Sequence, residues 1–450
     1  MRICKYTIGM AGVALAVVMW AAPVRAQGSS LGTYSPYTMY GLGNLNRSPL
    51  SAFVGMGGAS IGFRNAGFDT PGEIRLNVSN PASLSGILPQ SFIFDVGLAG
   101  TNRYLSQRSA DELMRTSFNT FNFNNVTIAL PIATKLGFAF SVSPYSEVGY
   151  KMHTVDESYL ADLGVVHYYY YGEGDVTEAK AALGRELFRN FSLGVEVNYM
   201  WGNINRTYRA EIESYTGTGK YNNVSASTNE NVGRMFGGFG VQYSPVSRDR
   251  TRITVGATYR MGGKLNSDVT DHIPSGNIFG DTVRLAEYKS PVYIPQRVGV
   301  GVFFHRPKWS MGIDYIYEYW GWRNAYDAVN QVRYVNTGVL KIGGRYTPNR
   351  YDMRGRAASF FNRMTYKAGL RTGNNYLEFH GVPMNERAVT LGFDIPFRAD
   401  KISNLAIGIE YGQRGSLKGV LVKEHYFRVS AGVMLFGGDY DYWFQKYRYN

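Results

Sequence analysis

Phe191-Ser192-Leu193-Gly194-Val195-Glu196-Val197-Asn198-Tyr199-Met200-Trp201-Gly202 alternates over its length. Leu193, Val195, Val197, Tyr199 and Trp201 fall on one face of an extended chain; Gly194, Glu196, Asn198 and Gly202 fall on the other. Successive side chains of a strand point to opposite faces, so this stretch predicts a strand with one apolar face and one small or polar face. Met311, Ile313, Tyr315, Tyr317 and Tyr319 oppose Gly312, Asp314 and Glu318 in the same way. Phe427, Val429, Ala431, Val433 and Leu435 oppose Arg428, Ser430 and Gly432.

A soluble sandwich or barrel would alternate as well, so the connections must decide. Strands are predicted at 91–100, 121–132, 136–148, 176–187, 191–205, 232–245, 251–262, 294–305, 309–320, 338–348, 362–373, 385–397, 405–414 and 423–436. Short links follow most even-numbered strands, as in Ser247-Arg248-Asp249-Arg250 and Arg306-Pro307-Lys308. Long ones follow most odd-numbered strands, as in 206–231 and 263–293. Short periplasmic turns and long outer loops are the signature of an outer-membrane barrel, whose strand number is even in bacterial single chains. Counting Ala161–Tyr171 as a strand breaks that parity, so it is assigned to a long outer loop. The expected fold is an all-β, 14-stranded antiparallel transmembrane β-barrel over 91–436 with an N-terminal plug in the lumen.

The two ends read differently. Arg2 and Lys5 precede an apolar run, Ile8–Ala22, and Val24-Arg25-Ala26 ends in a small residue. That is the pattern of a secretory signal peptide, 1–26, with cleavage expected after Ala26 and Sec export to the bacterial outer membrane. The run is shorter than a spanning helix needs. Losing Arg2, Lys5 and Arg25 lowers the formal charge from +13 to +10, and the only cysteine, Cys4, goes with them. No disulfide or thiolate metal site is then expected. The basic residues are scattered rather than clustered, which argues against a nucleic-acid partner. Residues 27–90 are rich in Gly, Ser, Asn and Pro and do not alternate; a plug, or hatch, inside the barrel is the expected place for them. Residues 437–450 form an aromatic, basic tail expected on the periplasmic side.

The junction Asn77-Val78-Ser79-Asn80-Pro81-Ala82, with Leu84 and the strand opening at Ser91, resembles that of the FadL/TodX-type outer-membrane protein family. There an Asn-Pro-Ala motif closes an N-terminal hatch just before the first strand. Gly55-Met56-Gly57-Gly58-Ala59 is similar to the glycine-rich segment upstream of the motif, and Ser35-Pro36-Tyr37 with Tyr40-Gly41-Leu42-Gly43 to the N-termini of family barrels from Bacteroidetes. The resemblance implies a porin-like outer-membrane channel for passive uptake of hydrophobic compounds such as long-chain fatty acids, released sideways through a gap near a kinked third strand. It also implies an alternative, because some FadL-like barrels in Bacteroidetes act as assembly or type IX secretion partners without small-molecule transport. The expected partners are outer-membrane lipid, a hydrophobic small molecule and, on the alternative, a periplasmic or secretion-system protein.

Candidate site residues follow. Asn80, Pro81 and Ala82 are the hatch motif. Pro144 lies in the predicted third strand, where a missing ladder donor marks either a lateral opening or the rim. Lys341, Arg345, Arg363, Lys367 and Arg371, on the tenth and eleventh strands, form a basic ladder. It is suited to an anionic head group or to ion pairs that fill a polar lumen. No enzyme, cofactor or metal is expected. His153, His167, His272, His305, His380 and His425 show no metal-ligand spacing, and the glycines of 55–62 lack the Lys-Ser/Thr of a phosphate loop.

Overall fold

In the computed structural model the stretch quoted first belongs to a strand of 23 residues, Phe191–Glu213, with strictly alternating burial over 192–200. The structure describes residues 31–437, leaving out 49, 65–74, 90, 110–111, 158–164, 214–223, 248–250, 275–281, 289–292, 321–325, 328–330, 350–351, 353–356, 398–402 and 418–420. The predicted signal peptide and the tail from 438 onward lie outside the described residues.

Fourteen long strands form the wall: β1 Phe92–Ser109, β2 Glu112–Ala133, β3 Leu136–Asp156, β4 Val165–Phe188, β5 Phe191–Glu213, β6 Val224–Tyr243, β7 Arg252–Arg260, β8 Gln296–His305, β9 Trp309–Tyr319, β10 Thr337–Tyr346, β11 Thr365–Phe379, β12 Val382–Pro396, β13 Asn404–Arg414 and β14 Lys423–Gly437. Each pairs antiparallel with the next, and β1 closes the barrel on β14 from Phe92↔Gly437 to Ser106↔Lys423. Closure leaves no sheet edge to lipid, the condition for a strand-built membrane span. Outward side chains are apolar and exposed, as at Val298, Val300, Val302, Ile313 and Tyr315, while the inward Asp314 and Glu318 are buried.

The wall is uneven in height. β8 and β9 are 10 and 11 residues long, about one membrane crossing. β4 and β5 are 24 and 23 residues long. They therefore rise well beyond the membrane on the outer side. Strand Asn266–Pro274 extends this tall half by pairing with the outer part of β6. One expectation is corrected here. Val165–Tyr171, assigned to an outer loop, is the outer end of β4. The misleading stretch is Gly172-Glu173-Gly174-Asp175, which reads as a turn. Its glycines are there for close approach: a Cβ at Gly172 would meet the Tyr150 ring at 2.1 Å, and Gly174, at φ +136°, lies against the Asn203 carbonyl. The long loop expected after the eleventh strand is likewise a two-residue turn, His380-Gly381, with φ of 49° and 74°.

The described part of 31–89 sits inside the wall. Twelve strands place an inward glycine where an added Cβ would come within 3 Å of this inner segment; β2 and β9 are the exceptions. Gly137, Gly184, Gly194, Gly240 and Gly256 face residues 61–84, and Gly343, Gly369, Gly392, Gly408 and Gly432 face residues 51–57. This belt removes side chains at one level of the lumen so that backbone can approach backbone. Two apolar clusters complete the filling. Phe53, Met56, Phe63, Leu76 and Leu84 pack with Ile93 and Phe303 toward the periplasmic end. Tyr37, Leu42 and Leu45 pack with Tyr145, Met200, Trp320 and Tyr376 toward the outer end.

Candidate functional site: a stoppered seam in the wall

The wall is interrupted between β2 and β3. β2 pairs with β1 from Ile93↔Ala129 to Ser109↔Glu112, yet it pairs with β3 only from Ala133↔Leu136 to Val126↔Val142. β3 in turn keeps its ladder with β4 out to Asp156↔Val166. The two strands part just below Pro144, which lacks the N–H that would continue the ladder. A register shift between Pro144 and Ser146 makes Tyr145 the extra residue of a bulge. Tyr145 turns into the lumen, where the Arg260 guanidinium lies 5.2 Å from its ring centroid.

The inner segment fills the fork. Asn44 and Leu45 pair with Glu147 and Ser146 as a short strand on the edge that β3 presents to the seam. Asn46 N–H donates to the Tyr145 carbonyl at 2.9 Å and its Nδ2 to the Pro144 carbonyl at 3.2 Å. Ser35 N–H donates to the Gly149 carbonyl at 2.8 Å, and Gly149 N–H donates to Thr38 Oγ1 at 3.1 Å. On the β2 bank, Asn122 Nδ2 donates to the Gly32 carbonyl at 2.6 Å and to Glu147 Oε1 at 2.8 Å. Tyr34 stacks on Phe118 with centroids 4.3 Å apart. Residues 32–46 thus replace much of the missing ladder. They are anchored across the barrel as well: Tyr37 Oη donates to the Val422 carbonyl, Arg414 Nη1 to Asn44 Oδ1, and Tyr376 Oη to the Gly43 carbonyl. Burial pushes the Tyr37 phenol up, and the neighbouring Glu424 carboxylate adds to the effect. The phenol therefore remains a donor.

The hatch motif is the second anchor. Asn80 caps the 3₁₀ turn Pro81–Gly86, accepting from Ala82 N–H at 3.1 Å. Its Nδ2 donates to the carbonyls of Ile61 and Val241 at 3.1 and 3.2 Å. Proline at the first turn position costs no hydrogen bond there. Asn80, Pro81 and Ala82 are buried against Gly184, Gly194 and Gly240.

The basic ladder is spent inside the molecule. Lys341 Nζ donates to the Arg47 carbonyl at 2.7 Å, and Lys367 Nζ to the Ala52 carbonyl and Asp394, each at 2.6 Å. Arg75, from the inner segment, meets the same Asp394 at 2.8 Å. Arg371 joins Glu410, Glu386 and Ser48, while Arg345 donates to Ser310 and lies over the Phe63 ring. Arg363 departs from the expectation: it ends a short helix, Ala357–Arg363, on the periplasmic connection rather than standing on β11. The sequence carries no break there, because the helix and β11 run together without a turn residue between them. Also missed were Asp314, which accepts from the N–H groups of Ser60 and Ile61 at 2.6 and 2.8 Å, and Arg47, paired with Glu318 at 2.8 Å. Charges on the inward faces of the strands were visible; which of them would grip the inner segment was not.

Two cavities in this region measure about 90 and 60 Å³. Charged groups line both: Arg47, Arg260, Arg297, Lys341, Glu178 and Glu318 among them in the first, Arg371, Arg414, Glu147 and Glu410 in the second. Neither is the apolar pocket a hydrophobic ligand would occupy, for which several hundred Å³ is usual. Among the described residues no group of three or more His, Asp or Glu could hold a metal ion. His153, His167 and Glu213 form a line on the exposed outer sheet, with contacts of 3.1 and 3.3 Å.

The closed 14-stranded barrel with its N-terminal segment inside has the fold of FadL/TodX-type outer-membrane proteins. The family model for BamG matches residues 10–450, and the chain belongs to the BamG family. Among solved structures, the Pseudomonas putida toluene transporter TodX is 16% identical, with a TM-score of 0.57 over 89% of this chain and 100% of that one. A Pseudomonas aeruginosa FadL homologue is 14% identical, with a TM-score of 0.54 over 87% and 99%. No curated protein matches the sequence.

Proposed function

We propose that this protein is an outer-membrane channel that passes hydrophobic compounds, such as long-chain fatty acids, sideways through the seam between β2 and β3. The observation that carries the reading is the ladder that stops at Val126↔Val142, beside Pro144, while both strands continue outward. On this reading residues 27–90 act as the plug, Pro144 and Tyr145 keep the wall open, and the chain arrives by export with removal of residues 1–26. The barrel fold shared with proteins described as hydrocarbon and toluene channels supports it. On this reading the stoppered seam is the closed state. Uptake of labelled oleate into proteoliposomes tests it with wild type, Pro144→Ala and a variant lacking residues 31–64. Wild type is expected to load the vesicles faster than empty liposomes. Folded wild type that fails to do so removes the reading.

A second reading has its own observation. The lumen is filled by side chains and buried ion pairs, with a glycine on twelve strands fitted to the inner segment. Such a filling suits a barrel that serves as an assembly or secretion partner and transports nothing. The tall outer sheet would then be its working surface. The same assay separates the two, because a partner barrel gives no uptake as wild type.

A further inference from the structure

The lumen beside the stopper does not balance its charge. The larger cavity, of about 90 Å³, is lined by five cations, Arg47, Lys180, Arg260, Arg297 and Lys341, and by three carboxylates, Glu178, Glu196 and Glu318. Each carboxylate has a cation of its own. Glu318 takes Arg47 at 2.8 Å, Glu178 takes Arg260 at 3.5 Å and Glu196 takes Lys180 at 3.4 Å. Lys341 stands opposite Asp314 in the β9–β10 ladder and donates to the Arg47 carbonyl at 2.7 Å. Arg297 is left over: it makes no hydrogen bond and no ion pair among the described residues.

Its position in the wall sharpens the imbalance. Arg297, on β8, is the direct cross-strand partner of Arg260 on one side and of Glu318 on the other. Like charges directly opposite each other are destabilising. Glu318 is already engaged, because its Oε2 accepts from Arg47, from Thr337 Oγ1 at 2.9 Å and from Trp320 Nε1 at 3.4 Å. Two more donors on residues that line the cavity have no acceptor among the described residues. One is the buried Nε of Arg260. The other is the Tyr145 hydroxyl, which accepts from Arg260 Nη2 at 3.4 Å and keeps its own proton free. A charge held away from bulk water is normally paired, since the low dielectric makes an unmatched one costly.

We propose that this cavity is a binding site for one small monovalent anion, of the class of chloride or bromide, held by Arg297 and the Tyr145 hydroxyl. One unmatched cation calls for one negative charge. The cavity has room for a monatomic ion with a few waters and none for an acyl chain, so a lipid carboxylate is not the occupant. Asn46 and Arg47 of the inner segment, Tyr145 of the β3 bulge and Arg297 of β8 all line it. The ion therefore fastens the stopper to the wall. The inference stands whether or not the barrel transports anything.

The test uses the purified protein at constant sodium, with bromide or gluconate as the only anion; gluconate is too large for the cavity. Crystals of the wild type grown in bromide are expected to show an anomalous peak in the cavity within hydrogen-bond reach of Arg297. The temperature at which the folded, heat-modifiable barrel is lost should rise by about 3 °C from gluconate to bromide, the scale of a nearly saturated ligand in a chain this long. Arg297→Gln is expected to lose both the peak and the rise and, freed of the unmatched charge, to melt above wild type in gluconate. Lys308→Gln removes an exposed cation from the periplasmic rim and is expected to keep both. A wild-type cavity without a bromide peak overturns the proposal, whatever the variants do. So does a rise that Arg297→Gln retains in full, or an Arg297→Gln protein that melts below wild type in gluconate.

Discussion

Asn124 of β2 and Tyr145 of β3 are both the extra residue of a β-bulge, and the two bulges flank the point where the β2–β3 ladder ends. The β1 register steps from Gly97↔Asn125 to Leu98↔Phe123, and the β4 register from Pro144↔Thr177 to Ser146↔Val176. Bulges bend and twist the strand that carries them. One on each bank turns the strands apart, so the fork is built into both strands rather than into Pro144 alone.

Locking the stopper to the wall tests whether it moves. Asn44 and Glu147 are direct cross-strand partners, and such pairs lie about 4.5–5.5 Å apart at Cα, within disulfide range. Asn44→Cys with Glu147→Cys is expected to oxidise without unfolding the barrel. If the seam passes hydrophobic compounds, the oxidised protein should lose oleate uptake at least tenfold and regain it with a reductant. Uptake indifferent to oxidation state would show that residues 32–46 are not the gate.

The glycine belt predicts a contrast within one strand. A Cβ at Gly240 would sit 2.2 Å from Asn80 Oδ1, with the Pro81 ring at 2.8 Å, whereas at Gly237 the nearest atom is Met261 Sδ at 3.5 Å. Overpacking of this kind costs about 1–3 kcal/mol. Gly240→Ala is expected to expose residues 75–89 to protease, and Gly237→Ala to behave as wild type. Equal protection would mean that the inner segment is not seated as described.

The barrel was legible because lipid imposes a strict period of two. Each of the fourteen strands was legible, and Leu193, Val195, Val197, Tyr199 and Trp201 face outward as the alternation required. The outer extensions were not legible, because above the membrane neither face must be apolar. Tyr168, Tyr170 and Tyr208 pack together on one face there, but their run of tyrosines carries no alternation. Pro144 drew attention as a missing donor, yet Asn124, its counterpart on β2, had no signal at all. The inner segment was recognised by its lack of pattern and by Asn80-Pro81-Ala82. Its contacts depend on glycines scattered over twelve strands, which the sequence shows only as small residues on polar faces.

Asn80 unites the two halves of the inner segment with the wall. Asn80→Ala removes the cap to Ala82 and the two donations to the Ile61 and Val241 carbonyls, of which the Ile61 carbonyl keeps Gln242 Nε2 at 2.9 Å. A lost cap costs about 1 kcal/mol, and each further hydrogen bond lost about 0.5–1.5 kcal/mol. The melting temperature should fall, and Asn80→Asp, which keeps the acceptor for Ala82 but turns a buried carboxylate oxygen toward the Ile61 and Val241 carbonyls, should fall further. An alanine variant that melts with wild type would show that the motif is not an anchor.

Asp394 is the shared acceptor of a buried triad, with Arg75 at 2.8 Å from the inner segment and Lys367 at 2.6 Å from β11. Asp394→Asn leaves two cations facing each other without their counter-charge; Arg75→Met leaves the Lys367–Asp394 pair whole. Breaking a buried pair by removing one partner costs about 3–5 kcal/mol, whereas an apolar replacement of similar volume is far milder where the remaining charges stay matched. The expected order of melting temperature is wild type, then Arg75→Met, then Asp394→Asn. Adding Lys367→Met to Asp394→Asn should recover part of the loss, because it removes one of the two unmatched cations. Independent, additive losses in the double variant would mean that Lys367 and Asp394 are not coupled and that the inner segment is held elsewhere.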